Sequence, residues 1–308
     1  MLVRESVQVQ THFLHSRTSP RHVFNECMEL RRKIHDFRPH LLHAQYGTMN
    51  AFIAALAGLS IPLVITFRGS DLNPVPSFGR VRTFLGHLLS QLAAARASAT
   101  ICVSPELHRR LWWRLDRSQI IVGGVNTDLF IPIEREIARR KLGWAKLGLN
   151  EASPVVLFNA GRYPRVKRLD LAEAAVRRAQ QIRPEIRMVT LRGDVEPDLM
   201  PLYYSAADCL LVTSDWEGSP TVVKEALACA LPIVSVDVGD VAERLRRVEP
   251  SQITGRGPNE IAEALCKILA APRRSNGRQA VTDLSEQMEV KRIRSLYDSV
   301  MHGIGERG

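Results

Sequence analysis

Gly161-Arg162 and, five residues further on, Lys167 put two cations beside a glycine within one short stretch. A glycine lets the backbone approach a ligand and the two cations could neutralise a diphosphate, although the same residue types also suit a solvated loop. Ser214-Asp215-Trp216-Glu217-Gly218-Ser219-Pro220 then runs into a helical stretch beginning at Thr221 and reaching Cys229. Ser219 is expected to cap that helix with Pro220 in its first position, leaving free N–H groups where a phosphate can bind. Glu217 lies just outside the helix and Glu225 within it, with seven residues between them. Two helical turns set Glu225 roughly 10 Å below the helix start, a spacing that suits a long polar ligand such as a nucleotide sugar. Two glutamates eight apart also describe an ordinary solvated face. Two further loops qualify. Val238-Gly239-Asp240 reads as a strand-to-helix turn, and in Phe67-Arg68-Gly69-Ser70-Asp71 the side chains of Arg68 and Asp71 are expected to pair with each other.

Each of these loops follows a short apolar run, and open parallel sheets bind ligands at the carboxyl ends of their strands. The apolar pattern predicts a helix around 23–34, a strand at 41–44, a helix at 48–58 and a strand at 63–67. It continues with a helix at 80–96, a strand at 99–103, a helix over 105–115 and a strand at 120–122. After a crossover at 127–152 the alternation restarts, with strands at 155–159, 188–191, 209–213 and 233–236. Helices are expected at 168–182, 198–206, 220–229, 258–270 and 286–302. Strands separated by helices imply two parallel α/β sheets, one in residues 1–130 and one in 131–308, with the final helix packing back on the first domain.

The composition is that of an ordinary soluble protein: 308 residues, 45% hydrophobic and 24% charged. This excludes disordered, collagen-like and coiled-coil chains. The most apolar stretch, 51–67, contains Gly58, Ser60 and Pro62 and reads as a buried helix and strand rather than a membrane span. The first residues lack the apolar core of a signal peptide, so the chain is expected to stay in the cytoplasm. Five scattered cysteines without a CxxC pair suit reduced thiols rather than disulfides or a zinc site. The net charge of +10 comes entirely from residues 1–150, with 20 Lys/Arg against 10 Asp/Glu, while 151–308 hold 22 of each. Such a surface attracts any anionic partner. Arg80, Arg82, Arg109, Arg110, Arg114 and Arg117, with Phe84, Leu88, Trp112 and Trp113, could rest on an anionic membrane on its inner face; the alternative is solvated helices with the tryptophans in the core.

Taken together, residues 40–245 resemble the retaining glycosyltransferases of family 4. In the first half the resemblance rests on His43-Ala44-Gln45-Tyr46-Gly47, on the 62–71 stretch ending Arg68-Gly69-Ser70-Asp71, on Val103-Ser104-Pro105-Glu106 and on Gly124-Val125-Asn126. In the second half it rests on Gly161-Arg162 with Lys167, on Pro201-Leu202-Tyr203-Tyr204-Ser205-Ala206-Ala207-Asp208, on the E-x7-E pair Glu217/Glu225 with Gly218 and Pro220, and on Leu231-Pro232-Ile233-Val234. The resemblance implies the GT-B fold, two facing Rossmann-like domains with the active site in the cleft between them. It implies a nucleotide-diphosphate-sugar donor and transfer to a glycan or lipid-linked acceptor with retention, without a required metal or other cofactor. Carried over by position, Arg162 and Lys167 would hold the diphosphate, Glu225 the ribose hydroxyls, and Glu217 with the backbone of Gly218, Ser219, Pro220 and Thr221 the sugar and phosphates. Arg68, Gly69 and Asp71 would face the cleft from the first domain.

The sequence also departs from that family. Arg68 stands where a histidine touching the donor sugar is common, Ala230 where glycine often ends the helix, and Val122 where proline is frequent. No strand with a glycine-rich loop precedes the first helix, so the first domain is expected to be truncated, lacking about 50 or more residues of the usual six or so strands. A non-catalytic relative that binds nucleotide sugar or acts as an assembly partner is therefore the alternative to an enzyme of polysaccharide or glycolipid synthesis. Nucleic acid is not expected as a partner, since no aromatic-basic sheet or helix-turn-helix pattern accompanies the charge.

Overall fold

The computed structural model describes residues 7–15, 19–74, 79–113, 115–147 and 149–305. They form two compact units: one of residues 1–122 with 287–308, the other of residues 123–286. The division lies at 122/123, where the sequence reading has 130/131, because segment 123–126 is tied to the end of the second unit. There Val125 N–H donates to Leu284 O and Glu286 N–H to Val125 O.

In the first unit α1 (Pro20–Phe37) opens with Pro20 in its first turn and Ser19 as cap, the serine oxygen accepting from His22 N–H. There follow β1 (Leu42–Gln45), α2 (Thr48–Ala57), β2 (Leu63–Phe67), α3 (Arg80–Arg96), β3 (Ala99–Cys102), α4 (Pro105–Arg109) and β4 (Ser118–Ile120). The four strands pair in chain order, all parallel. Every residue of β2 is buried, as a central parallel strand covered on both faces requires. Ile65 and Phe67 meet Ala51, Ala55 and Ala93 on one face. On the other, Val64 and Ile101 meet Leu296, Ile293 and Tyr297 of the C-terminal helix Glu286–Gly305. The helix expected over 105–115 stops at Arg109, because the following turn is pinned to α3: Trp112 N–H donates to Gln91 Oε1 (3.0 Å) and Trp113 Nε1 to Gln91 O (3.0 Å). The strand expected at 120–122 accordingly starts earlier, at Ser118.

The second unit contains α5 (Arg135–Lys141), β5 (Val155–Asn159), α6 (Leu169–Ile182), β6 (Arg187–Leu191), α7 (Met200–Ala206), β7 (Cys209–Val212), α8 (Thr221–Ala228), β8 (Ile233–Val236), α9 (Val241–Leu245), β9 (Gln252–Thr254) and α10 (Pro258–Ala270). Its parallel sheet has the order β6-β5-β7-β8-β9. β9 and α9 are additions to the sequence reading; three residues between Pro250 and Gly255, or five before an arginine pair, are too short to show a period. Buried Arg139 holds α5 to this sheet, donating to Asp208 Oδ2 (2.8 Å) and Ala206 O (2.9 Å) while its guanidinium lies over Trp144. All five cysteines are free, and burial pushes the thiols of Cys102, Cys209 and Cys229 up to about 12, which keeps them protonated and unreactive.

The end of α8 explains one departure in the sequence. Leu231 N–H donates to Ala226 O and Ala230 N–H to Leu227 O, the paired bonds of a Schellman cap, and Ala230 sits at φ +55° in the left-handed region where glycine is usual. An alanine there is strained by about 1–2 kcal/mol, against roughly 0.5–1 kcal/mol of extra chain entropy that glycine loses on folding. Ala230→Gly is therefore expected to raise the unfolding free energy, by about 0.5–1 kcal/mol, in urea denaturation; a loss of stability would mean that the alanine methyl contributes packing that outweighs the strain.

Candidate active site

The strand order of the second sheet brings the chemistry-bearing loops together. The chain moves from β5 outward to β6, then crosses back over β5 to β7 and continues to β8 and β9. This reversal puts the topological switch point of the 2-1-3-4-5 arrangement, where open parallel sheets bind their ligands, at the carboxyl ends of β5 and β7. The loop after β5 carries Gly161, Arg162 and Lys167, and the loop after β7 carries Glu217, Gly218, Ser219 and Pro220.

These two loops are bonded along their length. Asp215 N–H donates to Val166 O (3.0 Å), Thr213 Oγ1 donates to Lys167 O (2.8 Å), and Arg168 meets the Asp215 carboxylate at 3.1 Å. Lys167 Nζ lies 2.5 Å from Glu217 Oε1, with both side chains largely buried. Gly161 needs its glycine, at φ +52°, and its N–H donates to the Asn159 side chain. Arg162 is exposed and backs onto Gly193, where an added Cβ would come within 3.3 Å of its Cγ. The β8 loop closes against the same place: Gly239, at φ +59°, lies so near that a Cβ would approach Gly218 O to 2.8 Å. What reads in the sequence as a plain turn is thus a close backbone contact supporting the Glu217-Gly218 segment.

The start of α8 corrects the sequence reading. Pro220, at φ −67° and ψ 121°, is itself the cap, and no side chain caps the helix. Ser219 lies one residue outside. Its hydroxyl donates to Asp240 Oδ2 (2.8 Å) and accepts from Lys224 Nζ (3.3 Å), and Lys224, buried, also donates to Gly123 O. With the serine engaged elsewhere, the N–H groups of the first turn keep the partial positive charge of a helix N-terminus. Glu225, further along α8, is mostly enclosed and its Oε2 accepts from Tyr204 Oη at 2.7 Å. Burial raises the pKa of Glu225, partly offset by the Tyr204 bond, and burial likewise lifts the Tyr204 phenol well above its usual value.

In the first unit Asp71 is buried, but its partner is not the Arg68 side chain. Its carboxylate accepts from the backbone N–H groups of Arg68 (3.0 Å), Gly69 (2.8 Å) and Gly47 (3.0 Å). The Arg68 guanidinium instead turns to Gln45 Oε1, with Nε at 3.0 Å and Nη2 at 2.8 Å. Arg114 falls outside the described residues.

Two family models account for most of the chain. Glycosyltransferase Family 4 matches residues 2–129 and Glycosyl transferases group 1 matches residues 148–271. The chain belongs to the family-4 glycosyltransferases. A Bacillus subtilis (strain 168) glycosyltransferase, TuaC, whose name assigns it to teichuronic acid biosynthesis, is 28% identical over 256 residues, covering 76% of this chain and 62% of its own. A D-inositol 3-phosphate glycosyltransferase of Geodermatophilus obscurus is 28% identical over 188 residues, covering 50% of this chain and 40% of its own. The chain thus spans less than two thirds of these relatives' lengths. Among solved structures, sucrose-phosphate synthase from Thermosynechococcus elongatus matches with a TM-score of 0.74 at 20% identity, over 94% of this chain and 81% of its own. Anabaena HepE in complex with UDP and glucose matches with a TM-score of 0.69 at 17% identity, over 97% and 88%. Both units are Rossmann-like, with the GT-B fold of these neighbours.

For a family-4 glycosyltransferase the residues that sequence reasoning overlooked are the ones holding the E-x7-E pair in place. Tyr204 was legible only as part of a matching string. Its backbone is in turn fixed by Arg274, which donates to Tyr204 O (3.3 Å) and Ser205 O. Arg278 ties Ala228 O, at the end of α8, to Phe130 O and Thr127 O. The polar 273–278 loop is therefore a pair of guanidinium clamps, a role that a run of arginines gives no sign of in sequence.

The raised pKa of Glu225 has a thermodynamic consequence. Folding disfavours its carboxylate, so below the ordinary carboxylate value of 4.5 the penalty is absent, and it grows as the pH rises from 4.5 through the higher folded pKa. Glu225→Gln, which keeps an acceptor for Tyr204, is expected to melt higher than wild type at pH 7 and equally at pH 4. Equal melting temperatures at pH 7 would show that the carboxylate is not penalised by its enclosure.

Proposed function

We propose that this chain transfers a sugar from a nucleoside-diphosphate-sugar donor to a glycan or lipid-linked acceptor with retention of anomeric configuration, and that it needs no metal to do so. The observation that carries this reading is the meeting, at the β5/β7 switch point, of Arg162, Lys167, the Glu217 carboxylate and the uncapped start of α8 on one edge of the sheet. As the bond between the anomeric carbon and the diphosphate breaks, negative charge grows on the leaving oxygens. Two cations and a helix N-terminus favour that charge most when it is most developed, which lowers the barrier rather than merely tightening binding. Lys167, held by Glu217 before substrate arrives, needs little reorganisation to meet it. Glu225 accepts from the ribose hydroxyls, while Glu217 and the backbone from Gly218 to Thr221 position the sugar and phosphates. The acceptor oxygen attacks on the face that the diphosphate leaves and passes its proton to the departing phosphate, so no carboxylate on the opposite face is required. The names of the relatives, two of them glycosyltransferases, and HepE's binding of UDP and glucose support this reading and do not favour a role in binding alone.

We further propose an anionic membrane surface as partner of the first unit, at the inner face of the membrane. Val81, Phe84, Leu85, Leu88 and Leu92 recur at helical spacing on α3, and Phe84 is 60% exposed. Beside them Trp112 (55%) and Trp113 (43%) stand out from the turn pinned to Gln91, edge to face, rather than in the core. Arg80, Arg82 and Arg109 are exposed, and Arg110 and Arg117 pair with Glu106 and Asp116. Among the described residues no helix is long and apolar enough to cross a membrane, so the contact would be interfacial.

Calorimetric titration of the 308-residue chain with UDP is expected to show binding, weakened by ~1–3 kcal/mol in Glu225→Ala through loss of charge-assisted hydrogen bonds. No heat with wild type, or equal affinity in the variant, rejects the donor-site assignment. Cosedimentation with vesicles is expected to be strong for phosphatidylcholine containing phosphatidylglycerol, weak for phosphatidylcholine alone, and reduced by salt and by Trp112→Ser with Trp113→Ser. Binding indifferent to lipid charge and salt counts against the membrane proposal.

A further inference from the structure

We propose that Arg68 recognises an anionic group on the substrate, a sugar carboxylate or a phosphate monoester. The inference rests on the transferase reading above and narrows its substrate class. Arg68 stands in the loop leaving β2, at the carboxyl edge of the first parallel sheet. It is exposed, and among the described residues it makes no ion pair. The nearest acid in sequence, Asp71, is committed to three backbone N–H groups and serves to hold the 68–71 loop rigid against Gly47. The guanidinium is held instead by a neutral acceptor: Nε and Nη2 both donate to the one oxygen Gln45 Oε1.

That arrangement fixes the plane of the guanidinium without neutralising it and leaves the Nη1 side of the fork without an acceptor among the described residues. A planar cation held in one orientation by a neutral amide matches the geometry of a carboxylate or phosphate, which take two parallel N–H donors. The surroundings do not compete for the anion. His43, 2.7 Å from Thr66 Oγ1 and 2.5 Å from the Tyr297 hydroxyl, has its pKa pulled down to about 4, first by burial and then by the positive charge of Arg68, so it is neutral at pH 7. The Gln45 side chain is oriented by His43, its amide nitrogen lying 3.3 Å from His43 Nε2, while its backbone carbonyl accepts from Asn50 Nδ2. A neutral sugar would gain little from a cation held in this way.

The test is calorimetry on the 308-residue chain and on Arg68→Gln and Arg68→Lys. One arm compares UDP-glucuronic acid with UDP-glucose, which reads a carboxylate on the donor. The other compares glucose 6-phosphate with glucose in the presence of UDP, which reads a phosphate on the acceptor. In at least one arm wild type is expected to bind the anionic member about tenfold or more tightly, a preference that Arg68→Gln abolishes and Arg68→Lys retains in part. UDP alone should bind all three proteins equally, and since among the described residues the Arg68 side chain bonds only Gln45, their melting temperatures should agree. If wild type binds UDP but prefers the anionic member in neither arm, or Arg68→Gln keeps the preference, the Arg68 assignment fails alone. If wild type does not bind UDP, the donor-site reading fails and this inference falls with it.

Discussion

A parallel sheet sends every strand out at the same edge, and in the second unit the chain reverses direction across that sheet between β6 and β7. The reversal forces the loops after β5 and β7 to leave side by side with no helix between them, and the loop after β8 follows as the next neighbour. Each further feature of the site depends on this placement. The backbone bonds between 166–168 and 213–215 exist because these loops are adjacent, and only then can Lys167 reach Glu217. The two left-handed glycines, Gly161 and Gly239, let the flanking loops come close enough for the contact to form. Remove the reversal and the same residues would be scattered over separate turns.

The two glutamates of the pair sit in different electrostatic surroundings although they share one short segment. Glu217 faces a cation and lies at the positive end of α8, where its charge is welcome. Glu225 is enclosed within the unit with a phenol for its partner, where its charge is not. An acceptor held in an unfavourable state gains more from two sugar hydroxyls than one already satisfied, since it exchanges poor solvation for good hydrogen bonds. The stability lost by enclosing Glu225 and the affinity for ribose proposed for it would therefore have a common origin.

Much of this was legible in the sequence. The strands and long helices follow from apolar runs and 3.6-residue periodicity, and the candidate residues Gly161-Arg162, Lys167 and E-x7-E, picked out by their conjunction, lie on loops that the structure makes neighbours at one sheet edge. What was not legible has specific causes. Ser219-Pro220 carries the signature of a capped helix, yet tertiary contacts with Asp240 and Lys224 draw the serine away and shift the cap by one residue. Arg68 and Asp71 are spaced to pair, but a buried carboxylate is better satisfied by three N–H groups at fixed positions than by one long exposed side chain. β9 is too short for any pattern, and the clamps made by Arg274 and Arg278 act on carbonyl groups, which every residue has and no sequence distinguishes.

The C-terminal helix has a consequence for how the protein is made. It supplies Leu296 and Tyr297 to the first sheet, although the whole second unit lies between them and that sheet in the chain. During synthesis the second unit is complete in sequence once its last residues clear the ribosome. The first unit, begun earlier, still lacks one covering layer of its sheet at that moment. The order of synthesis and the order of completion are thus inverted, and strands translated before the second unit must wait, with one face of β2 and β3 uncovered, for a helix translated after it.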